Sequence, residues 1–158
     1  MFRSANVIGA LPKLNAHPDW IPVDEAARAI AEIVSATYTR ADLQSPHADV
    51  YHIMNPQRAE WGDVLEGLRE GGLKFEPVDM GTWLQKLAKS NPDPSVNPTY
   101  KLLPFWEQGV LDGAEHKYTF NKVSQLSPTV RNCKPVNPEL VKKWTNSWIQ
   151  SGFMQKAA

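Results

Sequence analysis

Trp61-Gly62-Asp63-Val64-Leu65-Glu66-Gly67-Leu68-Arg69-Glu70-Gly71-Gly72-Leu73-Lys74-Phe75-Glu76-Pro77-Val78 puts two periodicities side by side. Trp61, Val64, Leu65 and Leu68 recur at helical spacing and define one apolar face. Gly71-Gly72 ends that helix. Leu73 to Val78 then reads as a strand. Pro77 cannot donate to a ladder, which puts the strand at a sheet edge. Asp79 follows as the cap of another helix, whose Met80, Trp83, Leu84, Leu87 and Ala88 share a face. Helix, strand, helix in so short a span predicts an α+β fold, mainly helical with a small sheet of short strands.

Upstream, Met1 to Pro22 reads as irregular, or as a short helix followed by loops punctuated by Pro12, Pro18 and Pro22. A helix is expected from Asp24 to about Arg40. Asp24 and Glu25 suit its N-terminus, Ala27, Ile30, Ala31, Val34 and Tyr38 form its buried stripe, and Arg28 and Glu32 face solvent. The linker Ser45-Pro46-His47-Ala48-Asp49 leads to Val50-Tyr51-His52-Ile53-Met54, which has the composition of a buried strand. Downstream, Asn97-Pro98 opens a helix carrying Leu102, Leu103, Trp106, Val110 and Leu111, bent or interrupted at Pro104. Asn137-Pro138 opens the last one, with Val141, Trp144 and Trp148 in register and Gly152 beyond its end. Two short strands around one helix do not make a covered parallel sheet. The sheet is therefore either a minor part of a helical fold or one whose other members lie outside this chain.

The whole chain has 158 residues, with 17 Lys plus Arg against 17 Asp plus Glu. No positive excess exists to displace counterions, which argues against nucleic acid or acidic membranes as partners. Hydrophobic residues at 42% and charged residues at 22% give a folding composition, not a disordered one. Apolar runs break well before the ~20 residues of a membrane span, and none near Met1 has signal-peptide form. Cys133 is the lone cysteine, so no internal disulfide forms, and a reducing, cytoplasmic location is expected. It reads as a passive thiol. Asn97-Pro98-Thr99 is excluded from glycosylation by its proline.

Gly9-Ala10-Leu11-Pro12, Trp20-Ile21-Pro22-Val23-Asp24-Glu25-Ala26-Ala27 and Val50-Tyr51-His52-Ile53-Met54-Asn55-Pro56 with Trp61 together resemble the C-terminal portion of thioester reductase domains. Lys101 to Phe105, Thr119-Phe120-Asn121 and Trp148 to Phe153 are similar to that family's end. Such domains terminate nonribosomal-peptide-synthetase-like enzymes, aminoadipate reductases and carboxylic acid reductases, within the extended short-chain dehydrogenase/reductases. The resemblance spans nearly the whole chain but less than half of a full reductase domain. It implies a partial Rossmann-type fold, residues 1–158 forming one substrate-binding subdomain without a complete dinucleotide-binding domain. It implies reduction of a carrier-bound acyl thioester to aldehyde or alcohol by NADPH in the parent enzyme. The implied partners are an acyl-phosphopantetheine carrier domain and the N-terminal Rossmann half of the reductase.

Neither Gly-x-Gly-x-x-Gly nor Gly-x-x-Gly-x-x-Gly occurs, and Gly67, Gly71 and Gly72 end a helix, the wrong place for phosphate. Tyr118-Thr119-Phe120-Asn121-Lys122 has the spacing of a catalytic Tyr-x-x-x-Lys but follows the Trp20 to Asp24 segment, whereas the family's pair precedes it. It reads as a chance match. The chain alone is thus expected to bind no cofactor, to hold no catalytic residue and to be inactive. Its candidate substrate-binding residues are Gly9, Ala10, Leu11 and Pro12, a small-residue loop, with Trp20 and Trp106 as groove aromatics. The ordinary readings of these are a surface turn and core packing. Trp83, Trp144 and Trp148 read as core, and His52 as a core histidine. His17, His47 and His116 lack partners at metal-ligand spacing. Two other readings stay open: a noncatalytic protein-interaction module, and a fragment of an epimerase-like extended reductase.

Overall fold

The structure, a computed structural model, describes residues 1–38, 50–109 and 118–156. The linker at Ser45 to Asp49, the end of the helix expected near Arg40, Val110, Leu111, His47 and His116 lie outside them. The chain divides into two compact units: the described residues of Met1–His17, Glu60–Ala114 and Asn137–Ala158, and those of Pro18–Ala59 and Glu115–Val136.

The first unit is built on α3 (Trp61–Glu70) and α8 (Pro138–Gln150), its most extensively packed pair. The face expected for α3 is the one it buries: Trp61, Val64, Leu65 and Leu68. Gly67 and Gly71 share that face, and an added Cβ would fall 2.5 Å from the Pro138 carbonyl oxygen at the first and 2.5 Å from Thr145 Cβ at the second. Here the two glycines are where α8 presses onto α3, beyond ending a helix. α8 starts as expected, with Asn137 Oδ1 accepting from Leu140 N at 2.9 Å. Its buried residues are Val141 and Thr145, while Trp144 and Trp148 are half-buried at its flanks.

Among the described residues the sheet of this unit has two parallel strands, β1 (Ala10–Pro12) and β2 (Glu76–Val78), with Ala10 opposite Glu76 and Pro12 opposite Val78. β1 corrects the loop reading of Gly9 to Pro12. α1 (Ser4–Ile8) ends on Gly9 at φ 63°, a left-handed position that glycine takes without strain, and the chain turns directly into the strand. The strand expected over 73–78 is confined to its last residues. Asp79 caps α4 (Met80–Ala88) by accepting from Thr82 N at 2.8 Å. Trp83 and Leu87 on α4, with Ala10 and Val78, form a buried cluster against which Met80, Leu84, Leu103 and Trp106 pack. Trp83 Nε1 donates to Ser4 Oγ at 3.1 Å, and Ser4 donates on to the Ala10 carbonyl at 3.2 Å.

Asn97-Pro98 does not open a helix. A 3₁₀ turn (Tyr100–Leu102) and the short α5 (Leu103–Glu107), with Pro104 in its first turn, take that place. Asn97 is instead fully buried, donating through Nδ2 to Ser90 Oγ at 2.8 Å. It ties down the loop after α4 rather than a helix start.

The second unit holds α2 (Val23–Tyr38), α6 (Asn121–Leu126) and α7 (Pro128–Arg131). α2 forms as expected but turns the other way. Ala29 and Ile33 are its buried residues, packed with Val123 and Val130, whereas Ile30, Val34 and Tyr38 stand exposed. Glu32, expected in solvent, accepts from Ser127 Oγ at 2.5 Å and from Thr129 Oγ1 at 2.7 Å. Among the described residues Val50 to Met54 pairs with no strand, and Tyr51 and Ile53 pack on the same cluster. His52 is exposed, its ring 4.6 Å from that of Tyr118, so the core-histidine reading is corrected. A side chain without a ladder on either side has no sheet to bury it.

Glu32 carries a pH dependence. The Ser127 hydrogen bond above all holds its carboxyl below the ordinary glutamate range; desolvation works the other way, and the Thr129 hydrogen bonds and the Arg28 charge add smaller lowering effects. A depressed folded-state pKa adds stability above the unfolded value, and that stability is lost as pH falls through the folded one. Glu32→Gln is therefore expected to destabilise the chain at pH 7, with the gap to wild type closing below about pH 4. Urea midpoints at pH 7 and pH 3 check this; an equal gap at both would refute it.

Candidate functional site

The six residues singled out from sequence fall in both units, Gly9 to Pro12 and Trp106 in the first and Trp20 in the second. Ala10 and Leu11 are fully buried, and Pro12 is buried in β1, its carbonyl accepting from Trp61 Nε1 at 2.9 Å. Gly9 is exposed, with open space where a Cβ would stand. Trp106 packs edge-on to Trp83 at 6.0 Å and 82° and belongs to the periphery of the first unit's core. Trp20 is 37% exposed in the second unit, its carbonyl accepting from Asn55 Nδ2 at 3.2 Å.

A cleft that the sequence did not reveal lies in the first unit. It has a volume of about 570 Å³ and is lined by Arg3 and Asn6 of the N-terminal segment, Asn91 and Ser95 of the loop after α4, and Phe153 beyond α8. A second, more apolar cleft of about 330 Å³ shares Arg3 and Phe153 and adds Phe2, Leu102 and Trp148. Each wall has a local cause. Phe2 stacks at 6.0 Å on both Trp61 and Trp148, which fixes the N-terminal segment against α3 and α8. Gly152 at φ 75° reverses the chain after α8 and returns Phe153 to within 6.4 Å of Trp148. Asn6 Nδ2 donates to the Gln155 carbonyl at 2.7 Å, closing that end. The 90–97 loop is held by Asp93, which accepts from Ser95 N and Oγ, both at 2.8 Å. Those bonds hold the Asp93 carboxyl below the usual range.

The Arg3 guanidinium sits 5.6 Å from the Phe153 ring centre, one cation over an aromatic face between the two clefts. Such a groove offers apolar walls for a chain of methylenes, amide groups on Asn6 and Asn91, and a single positive charge for an anion. Arg3 and Phe153 are 150 positions apart in sequence, and no local pattern joins them. The one local sign is the pair of aromatics Trp148 and Phe153 on either side of Gly152.

Other chemistry is poorly served. Tyr118 precedes α6 and so does not share a helix with Lys122, as a proton-relay pair would require. Cys133 is buried and donates to Glu25 Oε2 at 2.9 Å; burial, that bond and the Glu25 charge push its thiol up to about 12. A thiol so held stays protonated and is a poor nucleophile. His17 Nδ1 lies 3.2 Å from Glu60 Oε1. Among the described residues no group of three His, Cys, Asp or Glu is placed to hold a metal, and no helix is long and apolar enough to cross a membrane.

The fold is shared with part of a solved terminal R domain. A solved terminal R domain of the myxalamid polyketide synthase–nonribosomal peptide synthetase pathway matches 99% of this chain and 39% of its own, with TM-score 0.69 and 20% identity. No protein-family model matches the chain. By sequence, it is 31% identical over 160 residues, 99% of its length, to the non-canonical non-ribosomal peptide synthetase ascB of Acremonium egyptiacum. It is 30% identical over 168 residues to the 3-methylorcinaldehyde synthase of Sarocladium schorii and 26% over 163 to the citrinin polyketide synthase of Monascus ruber. The chain spans 14% of the first and 6% of each of the others. The resemblance to the C-terminal portion of thioester reductase domains, read from Gly9 to Pro12, Trp20 to Ala27 and the later segments, is borne out.

Proposed function

We propose that this chain, residues 1–158 as a whole, is the substrate-side subdomain of an NADPH-dependent thioester reductase domain, receiving an acyl group carried on phosphopantetheine for release as aldehyde or alcohol. The observation that carries the reading is similarity over 98–99% of the chain to fungal synthetases and synthases, one of them named for an aldehyde product. The cleft supports it: apolar walls, two carboxamides and Arg3 fit a thin amphipathic arm that begins at a phosphate. Its volume lies within the roughly 300–1,000 Å³ usual for small-molecule sites. The chain holds no Gly-rich phosphate turn, so NADPH and the proton donor belong in this proposal to the N-terminal Rossmann half of the domain, and the carrier domain presents the substrate. With a single cysteine, a reducing cytoplasmic setting suits it.

The test joins this chain to a cofactor-binding half and follows NADPH oxidation with a carrier-bound acyl thioester. Thioester-dependent oxidation is expected. Arg3→Ala and Phe153→Ala should each raise KM for the carrier-borne substrate about tenfold, near 1.4 kcal/mol, while kcat stays within about twofold. Calorimetry of the unjoined chain with NADPH should give no specific heat. Micromolar binding there, or a folded fusion without oxidation, would overturn the reading.

A further inference from the structure

The more apolar of the two clefts has a wall of three rings, Phe2, Trp148 and Phe153, and is completed by Pro98, Thr99 and Leu102. The rings hold one another in place: Phe2 stacks on Trp148 at 6.0 Å, and Trp148 meets Phe153 at 6.4 Å and 65°. A dry apolar cavity of about 150 Å³ takes one benzene ring. The cleft, at about 330 Å³, therefore suits one substituted ring or a fused pair. Aromatic walls favour an aromatic guest, because stacked and edge-on ring pairs attract beyond the area they bury. One hydroxyl interrupts these walls. Thr99 is 3% exposed and precedes the 3₁₀ turn Tyr100–Leu102, where a threonine hydroxyl ordinarily caps a backbone N–H, yet its side chain makes no cap hydrogen bond. Among the described residues it has no other partner. The unpartnered side-chain atoms sealed from solvent are Asn97 Oδ1 and Trp106 Nε1, so the Thr99 hydroxyl still opens onto the cleft it lines.

We propose that this cleft is the subsite for the acyl end of the substrate and that it selects a hydroxyaryl group, the rings gripping the arene and Thr99 pairing with its hydroxyl. The inference rests on the reductase reading above and adds the chemical class of the acyl group. Volume, walls and the single unmet hydroxyl commit it to that class together. A linear alkyl chain gains nothing from the rings and leaves Thr99 unpaired. A peptidyl group brings several amides against one hydroxyl, so most of them would lose water without replacement. A phenol can donate to or accept from threonine, and it presents one such group on a flat apolar body. A site with a buried hydroxyl of this kind rejects the analogue that lacks the matching group, because the hydroxyl is then left unpaired. Arg3 and Phe153 border both clefts, so the rest of the ligand continues past them into the polar one, beside Asn6 and Asn91.

The experiment titrates the full chain by NMR with three N-acetylcysteamine thioesters: hydroxybenzoyl, the matching methylbenzoyl, and the methylcyclohexanecarbonyl of the same outline. The hydroxybenzoyl probe should bind about fivefold more tightly than the methylbenzoyl. The methylbenzoyl should in turn bind about threefold more tightly than its saturated counterpart. Thr99→Val should erase the first difference while leaving the methylbenzoyl Kd within about twofold. Phe153→Leu should narrow the second difference and keep the first. Thr99→Val has a further readout without ligand. Since it removes a buried hydroxyl that nothing pairs, the melting temperature should rise by about 2 °C. Equal Kd values for the hydroxy and methyl probes, or the absence of binding by all three to the folded chain, would overturn the proposal. So would a Thr99→Val variant that melts lower and weakens both benzoyl probes alike, which is the mark of a purely structural hydroxyl. None of these readouts uses NADPH or a cofactor-binding half. Selective binding without thioester-dependent oxidation in the fusion keeps the subsite and refutes the reductase reading, and oxidation without selectivity does the reverse.

Discussion

Trp83→Ala is expected to lower the unfolding free energy by about 3–5 kcal/mol, the range for removing a fully buried large aromatic side chain. The indole is 0% exposed and is the largest of the fully buried side chains. Three separate losses follow from its removal. The cluster of Ala10, Val78 and Leu87 is left around a cavity, and α4 cannot close it while Asp79 and the β2 connection hold its start. Trp106 loses the ring it meets edge-on. Ser4 Oγ loses the donor from Nε1 while still donating to Ala10, so one buried lone pair goes unmatched. Trp83→Phe separates these contributions, because it keeps most of the volume and removes the N–H. It should cost about 1–2 kcal/mol. Urea unfolding with an unchanged m-value checks both, and a loss below 1 kcal/mol for the alanine variant would show that α4 is not the keystone of the first unit.

What the sequence disclosed of this molecule is what short-range physics decides. The caps at Asp79 and Asn137 were readable because the acceptor and the N–H it satisfies are three residues apart. The apolar face of α3 was readable because the chain itself covers that face. α2 shows where this logic stops. Periodicity says which side of a helix is apolar, not whether the partner for that side is in the same chain. Here the apolar side faces out, and the side bearing Glu25 and Glu32 is satisfied by hydroxyls and a thiol about 100 positions away. β1 is illegible in the sequence for a related reason. Ala-Leu-Pro has no alternation to read, and its pairing is with residues 66 positions later, Ala10 against Glu76. Val50 to Met54 is the converse, a strand composition with no neighbouring strand among the described residues to use it. The Arg3 and Phe153 cleft was hidden in the same way, because its walls come from the two ends of the described chain and a loop between α4 and the 3₁₀ turn. Gly9 to Pro12 has small residues beside a turn and Trp106 is an aromatic beside a proline, yet Ala10 and Trp106 pack around Trp83 and Leu11 is fully buried.

The second large effect is expected at the α3–α8 seam, where Gly67→Ala should cost about 2 kcal/mol even though alanine is the better helix former by about 1 kcal/mol. The sign is decided by what the new methyl meets. At Gly67 it would lie 2.5 Å from the Pro138 carbonyl oxygen and 2.6 Å from Val141 Cβ, atoms of backbone and of a β-branched stem rather than the end of a flexible side chain. Neither can swing aside, so α8 itself must retreat by about an ångström, loosening its contacts with the buried Val64 and Leu68 face. Gly71→Ala meets Thr145 Cβ at 2.5 Å and Cγ2 at 2.6 Å and should cost a similar amount. The two glycines lie one turn apart on the same seam, which makes the double variant informative. If α8 moves as a rigid body, the retreat forced by the first methyl already makes room for the second, and the double loss falls short of the sum of the singles. If each methyl is accommodated by a local distortion, the losses add. The rigid-body outcome is expected, because Asn137 caps α8 and Pro138 fixes its first turn, so the helix has no hinge near the contact. Gly62→Ala is the control. It lies on the same helix with nothing within 4 Å of an added Cβ, and it should be neutral or stabilising.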